Sequence, residues 1–121
     1  VIDTEFYNKT WLQYQGIKMH QPVIKNAKIV STELGYEDHG IPTFFLHLDY
    51  GDSRQGFGGY IITNHDAFKI IFGILETLGV RCWEDLTGVY VRARVENGLV
   101  KAISPILKEK WFFVDSQIDI G

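Results

Sequence analysis

Apolar and polar residues alternate along much of the chain, with the period of half-buried strands. In TFFLHLDYGDSRQGFGGYII (43–62), Phe44, Leu46, Leu48 and Tyr50 alternate with Phe45, His47 and Asp49. Gly51-Asp52-Ser53 interrupts the run, and Arg54 to Ile62 reads as a returning strand. Gly56, Gly58 and Gly59 lie inside that return, where glycine marks a bulge, a sharp bend or the close approach of another backbone. Upstream, alternation from Ile24 to Leu34 predicts a first strand, closed by the polar turn Gly35 to Gly40. Pro42 suits the start of the second strand.

The period then changes. Ala67, Phe68, Ile71, Ile74, Leu75 and Leu78 recur at helical spacing and predict one apolar face. Thr63 or Asn64 is suited to cap this helix, with Asp66 completing a box-like pattern. Gly79 is the expected C′ residue and Val80 the hydrophobic contact behind it. After a short turn or single-turn helix at 83–86, Val89, Val91, Ala93 and Val95 alternate with Tyr90, Arg92, Arg94 and Glu96. Asn97-Gly98 predicts a type I′ hairpin turn. In that register Glu96 faces Leu99, Val95 faces Val100, Arg94 faces Lys101 and Ala93 faces Ala102. Pro105 ends the return strand, and Trp111 to Val114 is a final apolar segment.

The element order is therefore β-β-β-α-β-β, mostly β with one helix. Two architectures share it: an OB-like small barrel, or an α+β antiparallel sheet with one packed helix. Residues 23–114 read as a single compact domain, 1–22 as an N-terminal arm or extension and 115–121 as a C-terminal tail. The arm carries Phe6, Tyr7, Trp11 and Tyr14, apolar enough to want a surface such as a neighbouring subunit, and so a homo-oligomer.

Composition narrows the function classes. A net charge of −3 disfavours generic binding to nucleic acid or to an anionic membrane. Cys82 is the one cysteine, which excludes an internal disulfide and a multi-cysteine metal site. No apolar run is long enough to span a bilayer, and the chain start does not read as a signal peptide. A cytoplasmic protein is expected.

Two clusters hold candidate chemistry. Tyr90, Arg92, Arg94 and Lys101 form a small basic, aromatic-bearing patch of the kind that OB-folds use to hold single-stranded nucleic acid. His47 and Asp49 share a strand face, with His39 in the preceding turn, and imidazole beside carboxylate is the unit of general-base catalysis and of many metal sites. No recurrent catalytic or zinc spacing accompanies them, so the residues argue for no catalytic residue, metal or cofactor. The run Arg54 to Gly59 lacks the GK[ST] ending of a phosphate loop, which removes it as a nucleotide motif.

GYEDHGIPTFFLHLDYG, QGFGGY, WEDLTGVYVRARVENG and ISPILKEKWF together resemble a family of small uncharacterised proteins of tailed phages and prophages. The resemblance covers residues 24–114, and QGFGGY (55–60) and ILKEKWF (106–112) are its most specific blocks. It implies a protein made during infection or from an integrated prophage, and supplies no activity. The reading that follows is a non-enzymatic binding module for a host or phage macromolecule. Its expected partner surface is Asp49, Asp52, Arg54 and Phe57 on the Gly-rich hairpin, with Asp38 and His39 in the preceding turn. The rival readings are the single-strand binder and a hydrolase or metal-dependent enzyme built on His39, His47 and Asp49.

Overall fold

The computed structural model describes residues 22–61 and 64–114. The expected arm (apart from Pro22), the tail over 115–121 and the capping contacts of Thr63 and Asn64 lie outside what is described. The elements are β1 (Val23–Tyr36), β2 (Pro42–Asp49), β3 (Arg54–Tyr60), α1 (Asn64–Leu78), a 3₁₀ turn (Trp83–Asp85), β4 (Tyr90–Glu96), β5 (Leu99–Pro105) and β6 (Phe112–Phe113). All six strands join one antiparallel sheet in the order β3-β2-β1-β4-β5-β6. The first five strands and the helix follow the expected order. The short sixth strand, added from the final apolar segment, is new.

β1 organises the sheet. Its first half pairs with β4 and its second half with β2, and the two partners overlap only around Lys28 and Ile29. A bulge between Ile29 and Ser31 bends the strand at this handover. The bend curls the sheet until β3 approaches β5, and the Gln55 side-chain amide donates to Gly98 O at the tip of the β4–β5 hairpin. β3 and β6 remain the two end strands, so the sheet is open, curled as a small barrel is, with one packed helix.

The core fills the inside of this curl. Ile29, Phe44, Leu46, Leu48, Phe57, Val91, Ala93 and Ile103 project inward and meet Ile70 and Ile74 of α1 and Leu86. Phe44, Phe57 and Phe112 make an edge-to-face aromatic run across β2, β3 and β6, with ring centroids 6.4 and 6.3 Å apart. Gly73 lets the helix sit on this run, because a Cβ there would lie 2.6 Å from the Phe112 ring.

Two sequence expectations need correction. The expected helical stripe meets the core through Ala67, Ile71, Ile74, Leu75 and Leu78, but Phe68 is 68% exposed, and Asp66, Ile70 and Thr77 are buried beside the stripe. The surplus of apolar residues explains this, since the apolar arc of α1 is wider than the surface it buries and periodicity does not fix where its edge falls. Gly79 and Val80 do close the helix as expected, with Val80 N–H donating to Leu75 O and Gly79 N–H to Glu76 O.

The second correction concerns the β4–β5 register. Asn97 and Gly98 adopt the positive φ values of a type I′ turn, and Glu96–Leu99 and Val95–Val100 pair as expected. Beyond them a bulge intervenes: Arg94 pairs with Ala102 and Ala93 with Ile103, leaving Lys101 as the extra residue. The bulge takes Lys101 out of the position directly across from Arg94, where like charges repel.

Candidate functional site

The outer face of β2 and β3 is built on an aromatic pair over glycine. Phe45 lies opposite Gly58, and His47 opposite Gly56. The Phe45 and His47 rings stack at 6.1 Å and 24°, and both lie beside Gly56, where a Cβ would be 3.5 Å from the Phe45 ring and 3.9 Å from the His47 ring. The imidazole Nε2 stands 3.6 Å from a Glu33 carboxylate oxygen on β1. At the end of this face Asp49 accepts from Gly51 N–H at 2.7 Å and pairs with Arg54 at 3.4 Å, which fixes the β2–β3 turn.

Toward the other end the face runs into a cleft of about 590 Å³ beside the β1–β2 turn, lined in part by Glu33, Tyr36, Glu37, Asp38, His39 and Phe45. Glu37 organises the turn. Its carboxylate meets His39 Nδ1 at 3.0 Å and accepts backbone N–H groups from His39 and Ile41. The His39 ring bond, with those backbone donors, holds the Glu37 carboxyl below the usual carboxylate range. The cleft thus combines aromatic surface with the carboxylates of Glu33, Glu37 and Asp38, chemistry suited to a cationic group.

The expected partner residues divide. Asp38, His39, Asp52 and Arg54 are exposed, and Asp49 is half-buried at the turn. Phe57 is not available: it is 1% exposed and points into the core opposite Leu46. Alternation from Arg54 places Phe57 inward, and only the intervening glycines concealed that pattern. Phe45 and His47 take its place on the outer face. The signal for them was Phe45 alternating with three buried neighbours while facing glycine across the hairpin.

The basic patch is occupied by its own chain. The Arg92 guanidinium donates to Pro105 O at 3.1 Å, Ser104 Oγ at 3.0 Å, Lys108 O at 2.6 Å and Glu109 at 2.7 Å. It also lies 5.1 Å from the Trp111 ring centroid. Arg92 is therefore a clamp on the 104–109 segment rather than a free anion contact. Arg94 stands 3.6 Å from Glu96 and 5.7 Å from the Phe113 ring. Tyr90 stays exposed, with the Lys28 ammonium 5.8 Å from its ring, and Lys101 sits in the bulge. The four residues do not form the open basic platform that single-strand binding needs.

The clamp has a product that sequence reading missed. It presents Leu107, 93% exposed, at a second cleft of about 300 Å³ between the end of α1 and the 105–108 segment. Leu107 belongs to the ILKEKWF block, but nothing in its spacing separates an exposed leucine from a core one.

The hydrolase reading needs His39, His47 and Asp49 to converge. Each instead has its own partner: Glu37, Glu33 and Arg54 respectively. Among the described residues no three His, Cys, Asp or Glu side chains gather to hold a metal ion. Nor is any described helix long and apolar enough to cross a membrane. No protein-family model, curated protein or solved structure matches the chain.

Proposed function

We propose that this protein is a non-enzymatic binding module that takes a basic protein segment on the outer face of β2–β3 and in the cleft beside the β1–β2 turn. The observation that carries the reading is the stacked Phe45–His47 pair lying beside Gly56, with Phe45 also lining the Glu33–Glu37–Asp38 cleft. An aromatic surface with carboxylates at its edge attracts lysine and arginine side chains by cation–π and charge interactions. Stiff flanking strands hold the surface in place, which lowers the ordering cost of binding. The phage or prophage setting, a host or phage macromolecule as the partner, and a cytoplasmic location belong to the same proposal.

The test is a peptide array of mixed composition probed with the labelled protein, followed by titration of the best binders. Basic peptides are expected to dominate, with signals lost in Phe45→Ser and in Glu33→Lys. Backbone amide shifts should concentrate on residues 33–47. An array without basic enrichment, or equal binding by Phe45→Ser, overturns the reading. Tight, salt-sensitive binding of labelled single-stranded DNA or RNA instead would restore the nucleic-acid alternative.

A further inference from the structure

The outward side of α1 carries a second apolar surface, separate from the site above. Phe68 and Phe72, one turn apart, are 68% and 52% exposed, and their ring centroids lie 4.7 Å apart. Half-buried Ile71 flanks them. Two adjacent exposed phenylalanines on one helix are unusual on a surface that meets only water.

The charges beside them indicate what covers the patch. Lys69 and Glu76 are exposed and seven residues apart, so they fall on the same flank of the helix, two turns from each other. Neither side chain has an ion pair among the described residues. From this we infer that α1 pairs with α1 of a second copy of this chain, antiparallel about a two-fold axis near Phe72. In that arrangement Phe72 packs against the partner's Phe72, while Lys69 meets the partner's Glu76 and Glu76 meets the partner's Lys69. A parallel two-fold pairing would carry Lys69 and Glu76 to the opposite flank of the partner and leave both charges unmatched, so the charge order favours the antiparallel one. The contact is isologous and closes on itself, as dimer interfaces commonly do. It leaves the β2–β3 face open and does not depend on the proposed peptide site.

Sedimentation equilibrium over a concentration series tests the inference. The parent chain is expected to show a monomer–dimer equilibrium. Phe72→Ser should weaken it about tenfold or more, as loss of a central aromatic does. Lys69→Glu should also weaken the dimer, and Lys69→Glu combined with Glu76→Lys should restore it. Circular dichroism confirms that each variant keeps its fold, which is expected because all three positions are exposed. A parent that stays monomeric throughout the series overturns the inference and leaves the patch to another part of the chain or to a different protein. A dimer unaffected by Phe72→Ser, or a charge swap that fails to rescue, overturns it as well.

Discussion

Single residues explain the glycine-rich strand, and the glycines are not equivalent. A Cβ on Gly58 would lie 2.0 Å from Phe44 O and 2.8 Å from Phe45 Cα, both backbone atoms of the paired strand. Its φ of +158° is one that L side chains rarely adopt. Gly58→Ala should therefore lose about 2–5 kcal/mol, combining backbone strain with overpacking. Gly59, although adjacent, has nothing within 4 Å of the position a Cβ would take, so of the three glycines in this strand the close backbone approach falls to Gly58. Gly59→Ala should melt close to the parent, and equal losses in the two variants would refute the distinction. Glu37 gives a pH prediction. Its folded pKa lies below the ordinary value of 4.5, so the turn is fully stabilised above that value and loosens as pH falls through the lowered pKa. Amide exchange at His39 and Ile41 should accelerate in that acid window and not on mild acidification above it. Glu37→Gln should flatten the response.

Elements fit together here through a few close contacts, and two of these are open to direct test. Gly73 sits inside α1, where alanine would raise helix propensity by about 1 kcal/mol. Its added methyl would press on the Phe112 ring, itself held against Phe57 in the core, at an overpacking cost of about 1–3 kcal/mol. Packing should win, and Gly73→Ala should lower the melting temperature; a rise would show that the helix moves away from β6 without penalty. Arg92 ties β4 to the 104–109 segment. Arg92→Ala should cost about 2–4 kcal/mol, because several hydrogen bonds to a mostly buried guanidinium are lost together and Ser104 Oγ and two carbonyls lose a donor. Proteolysis is expected to move to the 105–110 stretch in that variant. Unchanged cleavage there would mean that the segment is held by Trp111 and β6 instead.

Over the whole molecule, the curled sheet is joined from its two ends by the Phe44–Phe57–Phe112 run. Phe57→Ala should cost about 3–5 kcal/mol in a single cooperative urea transition, since the cavity would open between elements from both ends of the chain. Separate transitions for the two ends would contradict a shared core. Much of this architecture was legible in the sequence, because the signals involved are local. Alternation placed the strands, Asn97-Gly98 set its turn, and Gly79-Val80 ended the helix, each through backbone chemistry within a few residues. The candidate site was half legible: Asp38, His39, Asp49, Asp52 and Arg54 reach the surface, while Phe57 gives way to Phe45 and His47. What the sequence by itself determined is the order and kind of elements and the two alternating faces of each hairpin. Only the tertiary structure decided that Phe68 of the helical stripe faces outward, where the bulge displaces Lys101, and that Arg92 is consumed by the 104–109 segment. The reason is physical: local patterns fix which residues share a face, but burial and pairing depend on partners far along the chain, brought close only when the sheet curls.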